Sequence, residues 1–357
     1  MNTRSLRTCA SSISLRRSLW ALVGLGMSMA AACGGQSGTE SSDTVSIDYA
    51  WIPTAAIAPV HVAKEEGLFE EAGLEINFTR FDSGPAQFAA LQSGDIDVAD
   101  MSSMGFLAGR AQGLEAQAFG VIYDLSATNV LVARKGTGIE SAGDLRGKRV
   151  AAVRNSSAYV GLIKYLNEND MSLDDVDYVQ LEAPALLPAF LKGQVDAAYA
   201  WAPWYNKMIA EGGTALTDNS EVDAVGHEIL VGSPEWLDQN TKSASRFLNV
   251  LHQANELMDE KGTKWVSEVV AKNQELDVET AQQIYDASTY PTMNELSDSA
   301  YEFSLTAGTA DDVGLLASLE ATAQDMFEFG IVEAAPELED AVDARPAEAW
   351  REQFSAE

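Results

Sequence analysis

The sequence predicts an α/β protein of two similar lobes with a ligand cleft between them, and three observations carry that prediction. A phrase occurs twice: Phe88-Ala89-Ala90-Leu91-Gln92-Ser93-Gly94-Asp95-Ile96-Asp97-Val98-Ala99 is echoed by Leu187-Pro188-Ala189-Phe190-Leu191-Lys192-Gly193-Gln194-Val195-Asp196-Ala197-Ala198. Both copies read as the last turn of a helix, a glycine stop, an aspartate turn and a short apolar strand. Gly94 and Gly193 are 99 residues apart, about the length of one small domain. After each strand the composition turns unusual, with Asp100-Met101-Ser102-Ser103 in one copy and Tyr199-Ala200-Trp201-Ala202-Pro203-Trp204 in the other. Strand ends of parallel α/β sheets are where ligands bind.

The elements follow in order. Residues 1–32 read as a secretion signal: Arg4, Arg7, Arg16 and Arg17 form its basic region, and Leu19 to Ala32 is apolar or small, too short to stay in a membrane as a span. The segment ends in Ala30-Ala31-Ala32-Cys33-Gly34-Gly35, similar to a bacterial lipobox with Cys33 as the lipidated residue. An ordinary signal peptide cut near the same place is the alternative. Cys9 would leave with the signal, so Cys33 would be the one remaining cysteine and could form no internal disulfide. Residues 33–44 read as a polar tether. Removing four arginines and no acids takes the formal charge from −31 to −35, which argues against nucleic acid as a partner. No apolar run after the signal is long enough to cross a bilayer.

Val45 to Ala50 alternates as a strand, and a helix runs from about Ala56 to Glu66, where Gly67 stops it. Glu75 to Phe81 is a strand, and Asp82-Ser83-Gly84-Pro85 caps the helix that enters the first repeated phrase. Further strands lie near Ala116 to Ile122 and Val130 to Ala133. A turn at Ile139 to Lys148 feeds a strand at Arg149, Val150 and Ala151. Asn155-Ser156-Ser157 stands where a helix cap belongs, before a helix to about Asn167. Val176 to Leu181 is a strand, Pro184 to Lys192 a helix, and Trp204 to Glu211 another helix after the second phrase. The chain crosses back at His227 to Val231. From Asn240 the helical period dominates, through Phe247, Val250, Leu251, Ala254 and Leu257 and again from Leu315 to Phe329. The expected lobes are 45–130 plus 226–330 and 131–225. Residues 331–357 form an acidic C-terminal extension, expected to be partly disordered from residue 335 on.

Strand-end chemistry defines the candidate site. Ser102 and Ser103 follow a strand and cap a helix, where exposed N–H groups and hydroxyls can hold an oxyanion without a formal charge. Ser156, Ser157 and Tyr159 repeat the arrangement in the other lobe, and Ser83 offers a third hydroxyl. Most such serines cap and do nothing else, so each is weak evidence alone. Glu228 lies between apolar residues, an expensive place for a charge unless a cation meets it. Asp100 and Asp124 stand near strand ends and would add acid if they face the cleft. Trp201 follows a strand and can pack on an aliphatic ligand or attract an ammonium, with Tyr49 and Trp51 closing the other side. Asp97 and Asp196, inside the repeated turn, read as structural.

The stretch Ala58 to Ile76, the phrase Gly94-Asp95-Ile96-Asp97, Asp144 to Ala151 and Tyr199-Ala200-Trp201-Ala202-Pro203 resemble the substrate-binding proteins of ABC importers for sulfonates, taurine, nitrate and thiamine precursors. Within that group the likeness is strongest to the taurine-binding members. The resemblance implies a type II periplasmic-binding-protein-like fold, hydroxyls of Ser102, Ser103 and Ser157 on a sulfonate, and Glu228 and Trp201 on an amine. It also implies ABC permease and ATPase subunits as partners, no cofactor, no metal and a monomer outside the cytoplasmic membrane or in the periplasm. Asp100 stands where the family has asparagine, and Ala158 where it has histidine. A quaternary amine such as glycine betaine or choline is the main rival ligand, with phosphonates and thiamine-precursor phosphates behind it. An enzyme is disfavoured, because His61, His227 and His252 lack metal-like spacing and no Ser–His–Asp order or phosphate loop is evident. A purely structural lipoprotein explains the duplicated strand ends less well.

Overall fold

The computed structural model describes residues 44–354 apart from Pro53, Ala55, Asp82, Ser83, Ala300, Glu302 and 307–313. The expected signal segment, Cys33 and Ser83 lie outside the described residues. The chain begins with β1 (Val45–Trp51), α1 (Ala58–Glu66), α2 (Leu68–Glu71), β2 (Leu74–Arg80), α3 (Gly84–Ser93), β3 (Val98–Ser102), α4 (Ser103–Arg110) and β4 (Gln117–Asp124). It continues with β5 (Asn129–Ala133), β6 (Arg149–Ala152), α5 (Ser157–Glu168), β7 (Asp177–Gln180), α6 (Ala183–Leu191), β8 (Ala197–Trp201), α7 (Trp204–Ala210) and β9 (Thr214–Asp218). After β10 (His227–Gly232) the described elements are helical: α8 (Pro234–Lys261), α9 (Thr263–Gln274), α10 (Val278–Asp286), α11 (Met293–Leu296), α12 (Leu315–Glu328) and α13 (Arg345–Phe354).

Two five-stranded sheets result, ordered β2-β1-β3-β10-β4 and β7-β6-β8-β5-β9. Each contains one strand antiparallel to both neighbours, β10 between β3 and β4 and β5 between β8 and β9. Those are the strands the chain reaches directly after crossing from the other sheet, so the two sheets share one topology and exchange one strand each.

The repeated phrase performs the same task twice. Gly94 and Gly193 have φ of 74° and 67°, a left-handed conformation that costs an L side chain energy and glycine little. The next aspartates then pin neighbouring strands: Asp97 accepts the Asp48 N–H at 2.9 Å and Asp196 accepts the Arg149 N–H at 3.1 Å. Asp196 also takes the Arg149 guanidinium at 2.8 Å, which with burial opposing it leaves its carboxyl at a pKa of about 2.

Gly161 on α5 is needed for another reason. A Cβ there would stand 2.0 Å from Asn219 Oδ1 and 2.7 Å from the Tyr199 hydroxyl. The space belongs to Asn219, whose Nδ2 donates to the Ser157 carbonyl at 3.0 Å and fixes the first turn of α5.

Helix α8 starts earlier than its apolar period suggests. Ser233 caps it by accepting the Trp236 N–H at 3.2 Å, and Pro234 supplies a preset first turn. Asn240, the expected start, is instead a non-helical residue inside it. Strand β9 went unread because it is an edge strand with one buried residue, Thr217.

The C-terminal segment corrects the expectation of partial disorder. Ala341 and Asp343 hydrogen-bond Ala118 on the outer edge of β4, each at 2.8 Å, and so cover an otherwise open sheet edge. Arg110 holds the Glu337 carbonyl and the Asp340 carboxylate, and α13 then packs on α8 with Trp350 buried between them. Lys164 on α5 meets Asp325 on α12 at 2.7 Å, a contact between the second sheet's layer and the C-terminal helices.

Candidate functional site

A cavity of about 240 Å3 lies between the two sheets. It is smaller than the roughly 300–1,000 Å3 of sites for drug-sized molecules, so it suits a compact solute. Strand register explains its walls. Glu228 of β10 pairs directly with Ser102 of β3 on one side and Tyr123 of β4 on the other, and all three line the cavity. On the second sheet Trp201 of β8 pairs with Asn129 of β5, and both line it from the opposite side. Each crossing strand therefore delivers one polar residue, Glu228 and Asn129, to the same space.

Two helix N-termini open onto this cavity. Ser102 caps α4 by accepting the Gly105 N–H at 3.2 Å, and Ser156 caps α5 by accepting the Tyr159 N–H at 3.3 Å. The Ser156 hydroxyl also donates to the Val153 carbonyl at 2.6 Å and is fully used. Ser157 differs: it is 5 % exposed, lines the cavity, and its Oγ meets no hydrogen-bond partner. Asn155 Oδ1 is likewise buried and unpartnered in the same wall, on a residue with φ of 59°. Two orphaned polar atoms beside a helix N-terminus form a place for a ligand's polar end. Arg154 stands at the rim, its guanidinium 6.0 Å from the Tyr159 ring centroid.

The wall of the first sheet also carries a shielded acid, beside Ser102. Glu228 is 6 % exposed, and among the described residues no cation or hydrogen-bond donor meets its carboxyl. Burial, and next Asp100, push its pKa well above the usual carboxylate value.

Of the residues singled out from sequence, Ser102, Ser156, Ser157, Trp201 and Glu228 meet at this cavity. The other described ones sit elsewhere. Tyr49 is a core residue rather than a wall: its ring stacks on Phe247 and its hydroxyl donates to Asp100 Oδ2 at 2.5 Å. Trp51 packs edge-on against His61. Asp100 is fully buried beneath the wall, accepting also the Ile52 N–H at 3.3 Å. Ser103 turns behind α4 to accept the His227 N–H at 3.3 Å. Asp124 caps the next turn through the Ser126 N–H and hydroxyl. Tyr159 packs on Tyr178. Sequence reading missed Phe88, Tyr123, Asn129 and Arg154, and named Asn155 only as part of the cap before α5. Asn129 could have been found as the counterpart of Glu228 at the first crossing, and Arg154 by extending the cap one residue before Asn155.

The buried titratable groups oppose one another in their pH linkage. Burial lowers His61 and His227 to about 4 from 6.5. Between those values the unfolded chain binds more protons than the fold, so their contribution to stability is full above pH 6.5 and is lost towards pH 4. Asp100, raised to about 7 chiefly by burial, and Glu228 keep protons in the fold that the unfolded chain has shed. Their contribution is full below the ordinary carboxylate pKa and is lost as pH rises through the folded values. Replacing Glu228 with Gln removes one of the two opposing acids. Urea unfolding at several pH values between 4.5 and 6.5 should then show stability climbing more steeply with pH, by about 1.4 kcal/mol per unit. An unchanged slope would mean that Glu228 is already ionised in the fold.

Comparison with known proteins adds three findings. A family model described as NMT1/THI5 like matches residues 54–261. The chain is 26% identical over 204 residues to a putative aliphatic sulfonates-binding protein of Bacillus subtilis (strain 168), covering 56% of this chain and 61% of that protein. It is 31% identical over 173 residues to the taurine-binding periplasmic protein of Escherichia coli (strain K12), covering 48% and 53% respectively. The matches thus span about half to three-fifths of those relatives' length. Among solved structures, the periplasmic aliphatic sulphonate binding protein of Escherichia coli superposes with a TM-score of 0.69 at 19% identity, over 84% of this chain and 92% of that one. The two-sheet arrangement is therefore the two-lobe fold of periplasmic binding proteins.

Proposed function

This chain belongs to the NMT1/THI5-like family, and from that premise we propose that it is an extracytoplasmic solute-binding protein delivering taurine or a close aliphatic aminosulfonate to an ABC importer. The observation that carries the reading is the polarity of the cavity. On the second sheet's side the cavity offers the N-terminus of α5 with the unpartnered hydroxyl of Ser157. On the first sheet's side, beside Ser102, it offers an acid that no cation meets among the described residues. A sulfonate suits the helix N-terminus, because its oxygens accept hydrogen bonds and it stays ionised. An ammonium suits the acid. Trp201 would lie along the carbon chain between them. The names of the Bacillus and Escherichia relatives support the same ligand class.

The membrane permease and its ATPase are the partners this role requires. In this reading the chain is exported and held by a lipid on Cys33, works as a monomer, and closes about the two crossings at residues 125–128 and 219–226. No helix among the described residues is long and apolar enough to cross a membrane. A quaternary amine is the second reading, favoured by the rings of Phe88, Tyr123 and Trp201 on the wall.

Glu228→Gln tests the ligand's amino end. Titration calorimetry should show taurine weakened by roughly tenfold or more, the scale of a lost charge-assisted contact, while ethanesulfonate, which lacks the amine, changes little. Equal losses for both would count against an ammonium at Glu228.

A further inference from the structure

We propose that Asp100, one layer beneath the cavity wall, is a specificity-determining residue acting through Glu228, so that a cationic ligand group enters in exchange for a proton. The inference rests on the solute-binding reading of this cavity and deepens it.

Register places the two acids together. Glu228 pairs with Ser102 and Leu230 with Asp100 on the adjacent antiparallel strand. Residues two apart on a strand share a face, so Asp100 and Glu228 are diagonal neighbours across β3 and β10. Their surroundings differ. Asp100 receives two donors, the Tyr49 hydroxyl at 2.5 Å and the Ile52 N–H at 3.3 Å, while the Glu228 carboxyl has none among the described residues and faces the cavity. Donors favour the ionised form and an apolar wall favours the protonated one. As pH rises Asp100 therefore ionises first, and above about pH 7 the pair holds one negative charge, on Asp100, and one proton, on Glu228.

Among the described residues no other group neutralises them. Tyr49 from β1 and Tyr123 from β4 face the pair, and Tyr290 stands behind Tyr123; burial raises all three, so they stay neutral. His61 of α1 lies beyond Thr54 and is held uncharged by burial. His227 and Asp124 are turned to other partners, Ser318 and Ser126. Arg154 and Glu182 are exposed at the rim of the opposite lobe.

When an ammonium reaches Glu228, the Glu228 O–H bond breaks, the proton leaves to bulk water and the new carboxylate takes the cation. The pair changes from one negative charge to two, and the ligand's single positive charge balances the difference. A neutral ligand end cannot drive this ionisation. Asp100 thus raises the threshold that a ligand must meet and excludes solutes lacking a cation.

The first test needs no ligand. Infrared spectra of the ligand-free protein above pH 7, where Asp100 is ionised, should contain the C=O band of a buried protonated carboxylic acid, and Glu228→Gln should delete it. In Asp100→Asn, whose one oxygen can keep the Ile52 N–H while its amide donates to the Tyr49 oxygen, the band's pH midpoint should fall by about one unit or more, the scale of strongly coupled carboxyls. A merely structural Asp100 would leave that midpoint in place. Calorimetry of taurine in buffers of unlike ionisation enthalpy should then show about one proton released per ligand bound, and ethanesulfonate none. Absence of the band, its survival in Glu228→Gln, an unmoved midpoint in Asp100→Asn, or cation binding without proton release would overturn the proposal. If taurine does not bind but the band behaves as described, the ligand assignment alone fails, and choline becomes the cation for the proton count.

Discussion

Truncating Trp350 to alanine is expected to cost about 3–5 kcal/mol, the range for removing a large buried aromatic. Its ring is 2 % exposed, sits edge-on to His252 at 5.3 Å, and donates its indole N–H to Asn249 Oδ1 at 3.0 Å. Both partners lie on α8, so the residue is the main fastening of α13 to that helix. The loss would also free the preceding segment from the edge of β4, where Ala341 and Asp343 now pair with Ala118. Urea unfolding followed by intrinsic fluorescence and by far-ultraviolet circular dichroism should give a lower midpoint by both signals. A loss under 1 kcal/mol would mean that α13 is an appendage and that the tail does not belong to the folded body.

Replacing Trp201 with alanine is expected to cost roughly 2 kcal/mol or more of ligand binding, as for a desolvated anchor, or about thirtyfold in affinity. Trp201 closes β8, is half-buried, and is held across from Asn129 by strand pairing. Its backbone hydrogen bonds do not depend on the indole, so the change should leave the sheet intact and remove a surface from the cavity. Trp201→Phe should recover part of the loss if the ring face packs on the ligand's carbon chain. Full affinity in Trp201→Ala would mean that the ligand does not reach this wall.

The architecture was legible because it is written twice. A glycine that must be left-handed, an aspartate that must accept a strand N–H, and an apolar strand follow in fixed order, and each is a local requirement visible in composition. The second crossing strand was also visible, since Ile229 to Val231 is a short apolar run directly after His227 and Glu228. The tail was misread for the converse reason. Its acids, Pro336 and Pro346 look like a disordered segment, and what orders them is Arg110 and Asn249, more than a hundred residues earlier in sequence.

The site was legible only in part. Ser102, Ser157, Trp201 and Glu228 stand at strand ends or helix starts, positions that periodicity can locate. Tyr49 lies two residues after Ile47 and shares its buried face, so alternation placed it in the core; its aromatic character suggested a cleft instead. Asp100 is two residues before Ser102, and nothing local distinguishes a carboxyl on the wall from one beneath it. That difference depends on Tyr49 and Ile52 reaching it from β1 and the turn that follows. Arg154 belongs to a loop with no period to reveal it, although the neighbouring cap at Asn155-Ser156-Ser157 was visible.

The most direct measurement is titration calorimetry of one solute panel against protein stripped of carried-over ligand by unfolding and dialysis. Taurine, ethanesulfonate, glycine betaine, choline and an alkylphosphonate separate the two sides of the cavity. The polarity of the site predicts that taurine binds tightest and that ethanesulfonate, deprived of the amine, binds at least tenfold more weakly. Choline or glycine betaine binding far tighter than taurine would contradict the sulfonate assignment and leave an amine-binding importer component in its place.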